Sequence, residues 1–373
     1  MDFDFTDDQE MLRDTVRKWV EKSYDFEKRR SIVKAGGFSR EAWKGLADLG
    51  ITGLAVPEAH GGMGFGAVDA MVIMEELGRG LVLEPFAAVS LVATHLLATS
   101  KAPEAAQRLE GIATGKDLVV LAQEERHSRY RLDAIETKAE KDGDAWRVTG
   151  RKIAVPAGAG ASAFIVSAKN GGSLGLFLVA QGASRLEVKP YPTQDGAAAA
   201  DLVLAGAIAT ELHPAGDARA ALELAVDIGI AALCAEAVGA MDKLVALTVE
   251  YMNTRKQFGV PIATFQALRH RMADVKMQLE LGRSMSYFAS LKLGEPAPQR
   301  RRALSQAKVQ LGRSMRHVGQ ECIQFHGGIG VTDEYLGSHY FKRLTMLEMA
   351  YGDTLHHLGE VSARMQDTAG VFA

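Results

Sequence analysis

The chain has 373 residues, 47% of them hydrophobic and 24% charged, and a formal net charge of −3. That length exceeds one small core, so two or three domains are expected of an ordinary soluble, globular mix. The near-balanced charge gives no ground for nucleic acid or an anionic membrane surface as a partner. The acidic opening MDFDFTDDQE is unlike a basic targeting region. The longest apolar run, residues 224–235, holds Asp227 and is too short to span a bilayer. Only two cysteines occur, Cys234 and Cys322, both in stretches that read as buried helix. So few in so long a chain fits a reducing compartment, and the cytoplasm is the default location. No close group of Cys and His has ligand spacing, so no metal is expected.

Taken in order, the chain first reads as helices. Thr6 followed by Asp7, Asp8 and Glu10 marks a capped start. The helix runs over 9–22, with Met11, Leu12, Val16, Trp19 and Val20 on one face. Ser39 caps a second, carrying Ala42, Trp43, Leu46 and Leu49, which stops at Gly50. The glycine-rich ITGLAVPEAHGGMGFG has no GKS or GKT after it, so it reads as a tight loop, not a phosphate cradle. Helices continue over 69–78 and 84–99. From near Asp117 to Thr210 the pattern changes to short apolar or alternating runs at 117–122, 134–141, 146–155, 163–168, 174–179, 186–191 and 201–205. They are separated by DGD, NGG, QGAS and TQDG, all turn chemistry, with DGD the clearest hairpin signal. Pro214 and Gly216 mark the next boundary. Long helices over 218–254, 265–293, 298–325 and 340–366 then predict an antiparallel four-helix bundle. The fold class is α+β: an N-terminal all-α domain (1–115), a middle β-barrel-like domain (116–212) and a C-terminal four-helix bundle (213–373).

The stretch YMNTRKQFGVPIATFQALRHRMAD, residues 251–274, joins two of these helices. Arg255 and Lys256 fall in the last turn of the first, where cations suit the negative end of the dipole. Gly259 offers positive φ and Pro261 follows as a stop. Ile262, Phe265, Gln266 and Leu268 restart a helical period. A guanidinium, an amide and an aromatic ring at a rigid junction can grip a diphosphate and an adenine. A plain helix hairpin with a basic end fits the same spacing.

TRKQFG with Gln266 resembles the RxxFG…Q segment of the acyl-CoA dehydrogenases. Residues 46–66 with EELGRG (75–80) resemble that family's N-terminal helical domain, CIQFHGGIGVTDEY (322–335) its second FAD-contacting loop, and YGDT (351–354) stands where the family has YEGT. The resemblance covers the whole chain and implies its α, β, bundle order. It implies FAD as cofactor and α,β-dehydrogenation of an acyl-CoA thioester, with a carboxylate removing the α-proton while the flavin takes hydride. It also implies a homo- or hetero-oligomer with another subunit of the family, because the FAD crosses a subunit interface, and an electron-transfer flavoprotein as acceptor. Arg255 would pair with the pyrophosphate, and Gln257 and Phe258 would line the adenosine. Gln266, Gln324, Gly327, Gly328 and Thr354 complete the implied cofactor contacts.

The flavin-ring side departs from the family. Its WIT segment is replaced by residues that put Ala154 and Pro156 in those places, and Pro156 has neither hydroxyl nor N–H to offer. Its TEPxxGSD segment is replaced by EERHSRYRLD (124–133), whose Arg126, Arg129 and Arg131 read as solvent-facing ahead of an alternative role toward anionic CoA. Both family positions for the base are glycine here, Gly352 and Gly229. Asp353 is the neighbour that could stand in, since one residue turns a helical side chain by about 100°; Asp227 is a weaker stand-in. His356 and His357 read as caps or solvated residues. Two functional readings stay open: a complete FAD-dependent dehydrogenase with Asp353 as its base, and a companion subunit that lends Arg255 and Gln324 to a partner's FAD. A protein that has kept only the fold is a third.

Overall fold

The computed structural model describes residues 5–143, 145–214 and 216–365. Helices α1 (Asp7–Ser23), α2 (Phe26–Lys34), α3 (Arg40–Asp48), α4 (Ala67–Arg79), α5 (Thr94–Ala98) and α6 (Pro103–Ala113) precede the strands. The Thr6 side chain accepts the Gln9 N–H while the Gln9 side chain accepts the Thr6 N–H, a capping box at the expected start. Ser39 caps α3 through the Ala42 N–H. Sequence patterning misses α2 and α6. In α2, FEKRRSIVK, charge masks the apolar period; yet Arg29 is buried, donating to the Asp195 carbonyl at 2.6 Å. α6 opens with Pro103 at its first turn, a position where the missing N–H costs nothing. The helix expected over 84–99 is a π-helical segment, Ala87–Ala93, continuing into α5.

Seven strands follow: β1 (Val119–Ala122), β2 (Lys138–Asp142), β3 (Ala145–Pro156), β4 (Ala163–Asn170), β5 (Ser173–Ala180), β6 (Leu186–Pro192) and β7 (Ala198–His213). β2–β3–β7–β5–β4 closes on itself, because β4 pairs with both β2 and β5. β1 adds to β4 and β6 to β7, so the sheet is a barrel with two appended strands. β2 and β3 form the hairpin that DGD announces, Gly143 taking φ 63°. β3 carries irregularities at Val148/Thr149 and between Lys152 and Val155, which bend it around the barrel.

The C-terminal part comprises α7 (Ala218–Thr254), a miniature hairpin of β8 (Lys256–Gln257) and β9 (Val260–Pro261), α8 (Gln266–Lys292), α9 (Ala297–His326), α10 (Leu336–Met349) and α11 (Thr354–Ala363). α9 packs against α8, α10 and α11. The single helix expected over 340–366 is thus two, broken at Ala350–Asp353, and Gln366 lies outside the described residues. Among the described residues α7 alone is long and apolar enough to cross a membrane, beyond the short run read from sequence, but 89% of its apolar window is buried.

Element type changes in three consecutive stretches, whereas contacts gather the chain into two interleaved units. One holds the chain up to Phe26, Ala67–Val82 and everything from Ile230; the other holds Glu27–Gly66 and Leu83–Gly229. Within the first, α4 crosses α7 at backbone distance. A Cβ on Gly78 would lie 2.1 Å from the Glu236 carbonyl oxygen, and one on Gly239 would lie 1.8 Å from that of Glu75. Around this crossing Arg17 forks onto Glu76, Arg79 pairs with Asp242 at 2.6 Å, and Arg343 with Glu236 at 2.5 Å. The Tyr340 hydroxyl donates to the Arg79 carbonyl.

Candidate functional site

At the end of α7 the chain turns through β8 and β9. Phe258 (φ 53°) and Gly259 (φ 83°) occupy the two central positions, the left-handed pair a two-residue hairpin requires. A bulky residue at positive φ is uncommon and strained by about 1 kcal/mol. Phe258 is 92% exposed, its ring meeting Phe265 edge-on at 6.1 Å. Arg255, Lys256, Gln257 and Gln266 are also exposed, and their side chains make no ion pair or hydrogen bond among the described residues.

The second segment begins where α9 ends. Gln324 is exposed on its last turn, and Gly327 adopts φ 62°, ψ −138°, a conformation for glycine. A Cβ at Gly327 or Gly328 would meet nothing within 4 Å, so this backbone stands open to close approach by a ligand. His326 ties the two segments together. Its ring lies in tilted contact with the rings of Tyr251 (4.5 Å) and Tyr335 (4.6 Å). Its Nδ1 lies 2.7 Å from the Cys322 carbonyl, which can only accept, so Nδ1 carries the proton. Nε2 then accepts the Tyr335 hydroxyl at 2.6 Å, and the Tyr251 hydroxyl reaches the His326 carbonyl at 3.4 Å. Burial pushes the His326 pKa down, which keeps the ring neutral. The structure therefore brings Arg255, Gln257, Phe258, Gln324, Gly327 and Gly328 onto two linked segments, with Gln266 opening α8 just beyond.

The segment around Asp353 is built differently from a helix carrying a free carboxylate. α10 ends at Met349; Tyr351 has φ 56° and Gly352 φ 117°. Lys308, buried on α9, donates to the carbonyls of Leu347 (3.0 Å), Glu348 (2.6 Å) and Gly352 (2.8 Å), satisfying the end of α10 and fixing the break. Burial pushes its pKa down to about 8. Asp353 is the N-cap of α11, accepting the His356 N–H at 2.8 Å. Thr354 gives its N–H (3.0 Å) and hydroxyl (2.6 Å) to Glu348. A Cβ on Gly352 would sit 2.6 Å from both His356 Cδ2 and His357 Nε2. The other family base position, Gly229, is buried inside α7, as is Asp227.

His357 is buried, contrary to the expectation of a solvated residue, because Tyr351 and Ser305 give its ring partners. Nε2 donates to the Tyr351 carbonyl (3.1 Å) and Nδ1 faces the Ser305 hydroxyl (3.2 Å). Burial, then Lys308 and His356, push its pKa down to about 3. In the unfolded chain the ring takes a proton near pH 6.5, so between pH 6.5 and about 3 the unfolded state binds more protons. Stability therefore falls as pH drops through that window, by about 1.4 kcal/mol per unit for this one ring. Urea unfolding at pH 5 is expected to show about 2 kcal/mol less stability than at pH 7 from this source. His357→Gln should remove that share.

On the barrel, the 123–137 loop is closed on itself. Lys152, fully buried on β3, bonds Glu125 (2.6 Å), the Ser167 hydroxyl (2.9 Å) and the Gln123 carbonyl (3.3 Å). Glu125 also accepts the N–H groups of Glu136 and Thr137. Lys152 and these bonds hold Glu125 below the usual carboxylate range against the opposing effect of burial, while burial pushes Lys152 down to about 8. Gln123, Glu124 and residues 128–132, with Ile135, Ser167 and Leu222, leave a cavity of only about 10 Å³, room for one water at most. Arg126, Arg129 and Arg131 are exposed. Ala154 sits in the irregularity of β3 at φ 52°, its N–H taken by the Tyr191 hydroxyl (3.0 Å) and Asp201 (3.3 Å).

Sequence reasoning missed Lys308, Lys152 and the His326 lock. The signal for Lys308 was present: it falls on the apolar stripe of Leu304, Leu311 and Met315.

Comparison with known proteins agrees with this architecture. Residues 6–116 match the family profile described as acyl-CoA dehydrogenase, N-terminal domain, and residues 212–366 match that of the C-terminal domain. The acyl-CoA dehydrogenase IpdE2 of Mycobacterium tuberculosis is 30% identical over 344 residues, spanning 90% of this chain and 91% of that protein. Acyl-CoA dehydrogenase FadE27 of the same organism is 27% identical over 377 residues, spanning 99% of this chain and all of that protein. In the crystal structure of the ChsE4-ChsE5 complex from Mycobacterium tuberculosis, a chain superposes with a TM-score of 0.89 at 25% identity, over 99% of this chain and all of that one. The chain belongs to the acyl-CoA dehydrogenase family, whose members are FAD-dependent oxidoreductases.

Proposed function

We propose that this chain is the companion subunit of a heteromeric acyl-CoA dehydrogenase, completing the FAD site of a partner that performs α,β-dehydrogenation of an acyl-CoA. The observation that carries this reading is the closed position at Gly352. It has no room for a side chain, and the neighbouring Asp353 is engaged as a helix cap. The barrel loop points the same way, since ion pairs and backbone bonds fill the space around Glu125. The elbow, by contrast, keeps an unpaired Arg255 and open glycine backbone, which suit a pyrophosphate and an adenylate. FAD supplies the hydride-accepting chemistry when bound. This chain contributes charge at Arg255, amide contacts at Gln257 and Gln324, and a preset backbone at Gly327 and Gly328. Electrons would leave to an electron-transfer flavoprotein.

The test is to purify the chain alone and together with a co-expressed partner chain of the same family. Alone it is expected to be colourless; together the pair should carry flavin bleached by an acyl-CoA. Arg255→Ala in the pair is expected to weaken FAD retention ten- to a hundredfold, as loss of a charged hydrogen-bond donor does. One flavin per chain in the isolated protein, bleached by acyl-CoA, would instead make it a complete dehydrogenase.

A further inference from the structure

We propose that His326 is a positioning residue for the dinucleotide. Clamped between Tyr251 and Tyr335, it sets the spacing of the β8–β9 elbow against the 327–331 loop, and so the affinity of the half-site those segments form. The inference rests on the dinucleotide reading above. His326 itself offers no free atom to a ligand. Both ring nitrogens are engaged, and the rings of Tyr251, from the end of α7, and Tyr335, from the run into α10, lie tilted against it. Residues 75 and 9 positions away in sequence thus converge on one ring. The groups facing it are few: Cys322 on its own helix, the two tyrosines, and Glu250 and Glu321 acting at longer range on Tyr335 and Cys322.

The geometry explains why the clamp is needed. The backbone of Gly327 and Gly328 has no side chain of its own to pack, and its neighbours Ile329 and Val331 are exposed, 48% and 74%. Gly330 is the loop's buried point, lying against Ile323 and His326 at the end of α9. A loop that must be ordered by its ligand subtracts that ordering from affinity, whereas a preset loop does not. Tyr335 hydrogen-bonds Nε2 at one end of the loop, and Cys322 holds Nδ1 within the helix before it.

The experiment uses the flavin-loaded pair and the full chain. Tyr335→Phe keeps the ring and removes only the hydroxyl. It is expected to speed FAD release about tenfold and to raise amide exchange at residues 327–331, with the thermal midpoint nearly unchanged. His326→Phe keeps an aromatic ring without nitrogens and should produce at least that loss, and the double variant should lose no more than His326→Phe alone, since the Tyr335 bond to Nε2 is already gone in it. In the wild-type chain, ¹⁵N shifts should show His326 as the neutral Nδ1–H tautomer. Additive losses, or Tyr335→Phe with unchanged release and exchange, would overturn the clamp. If Arg255→Ala weakens FAD while Tyr335→Phe does not, the clamp alone fails. If neither has an effect, the dinucleotide reading fails and the clamp with it.

Discussion

Gly239→Val is expected to destabilise the chain by about 3 kcal/mol or more, lowering the thermal midpoint by about 4 °C or more. The valine Cβ would start 1.8 Å from the Glu75 carbonyl oxygen and 2.7 Å from its carbon, which is backbone and has no rotamer to yield. α4 would have to move off α7. Its reciprocal contact, Gly78 against Glu236, would separate with it, as would the ion pairs Arg79–Asp242 and Arg343–Glu236 that bracket the crossing. Gly294→Ala is the control, because a Cβ there meets nothing within 4 Å, and it should stay within about 0.5 kcal/mol of the parent. Circular-dichroism melts of the two variants measure the difference. Equal stability would mean that the helices do not cross at backbone distance.

Gly352→Glu tests the site by adding back the residue that the family's sequence pattern calls for. It is expected to cost about 3 kcal/mol and to create no dehydrogenase. Gly352 holds φ 117°, outside the range of L-residues, and its Cβ would press on His356 and on the ring nitrogen of His357. The buried His357 would lose its bonds to Tyr351 and Ser305. The new carboxylate would also join Glu348 and Asp353 in a space with Lys308 as its buried cation, already spent on three carbonyls. Gly352→Ala separates strain from charge: it should carry most of the cost. A well-folded glutamate variant whose flavin is bleached by acyl-CoA in the absence of a catalytic partner would reverse the companion assignment.

Some of this is readable from the chain and some is not, for physical reasons. Residues 218–254 read as one helix end to end because nothing within them breaks the period, and the structure agrees. The strands read through their turns, but β7 extends to His213, beyond the expected 205, because residues 206–213, GAIATELH, mix small and polar types and lack an apolar run, although Ile208 is their one exposed member. The break before α11 is hidden. Tyr351 and Gly352 look tolerable within a helix, and what stops it is Lys308, more than forty positions earlier in sequence. At the site, Arg255, Phe258 and Gln324 are legible as types and spacings. The link between their two segments is not, because it depends on one histidine meeting two tyrosines from different segments. The exclusion of a side chain at position 352 is likewise a property of packing, invisible in the letters YGDT.

The interleaving of the two compact units bears on synthesis. The first helix, α1, and its neighbour α4 belong with segments that begin only at Ile230. Tyr340 and Arg343, which fasten that unit to Arg79 and Glu236, are synthesised about 260 residues after α4. The faces that α1 and α4 turn to those later segments must therefore wait roughly thirteen to fifty seconds at ordinary elongation rates. Holdase chaperones that favour exposed apolar segments are expected to bind the nascent chain over its first eighty residues, and slowing translation should lower the yield of folded protein where it would help a chain that folds domain by domain.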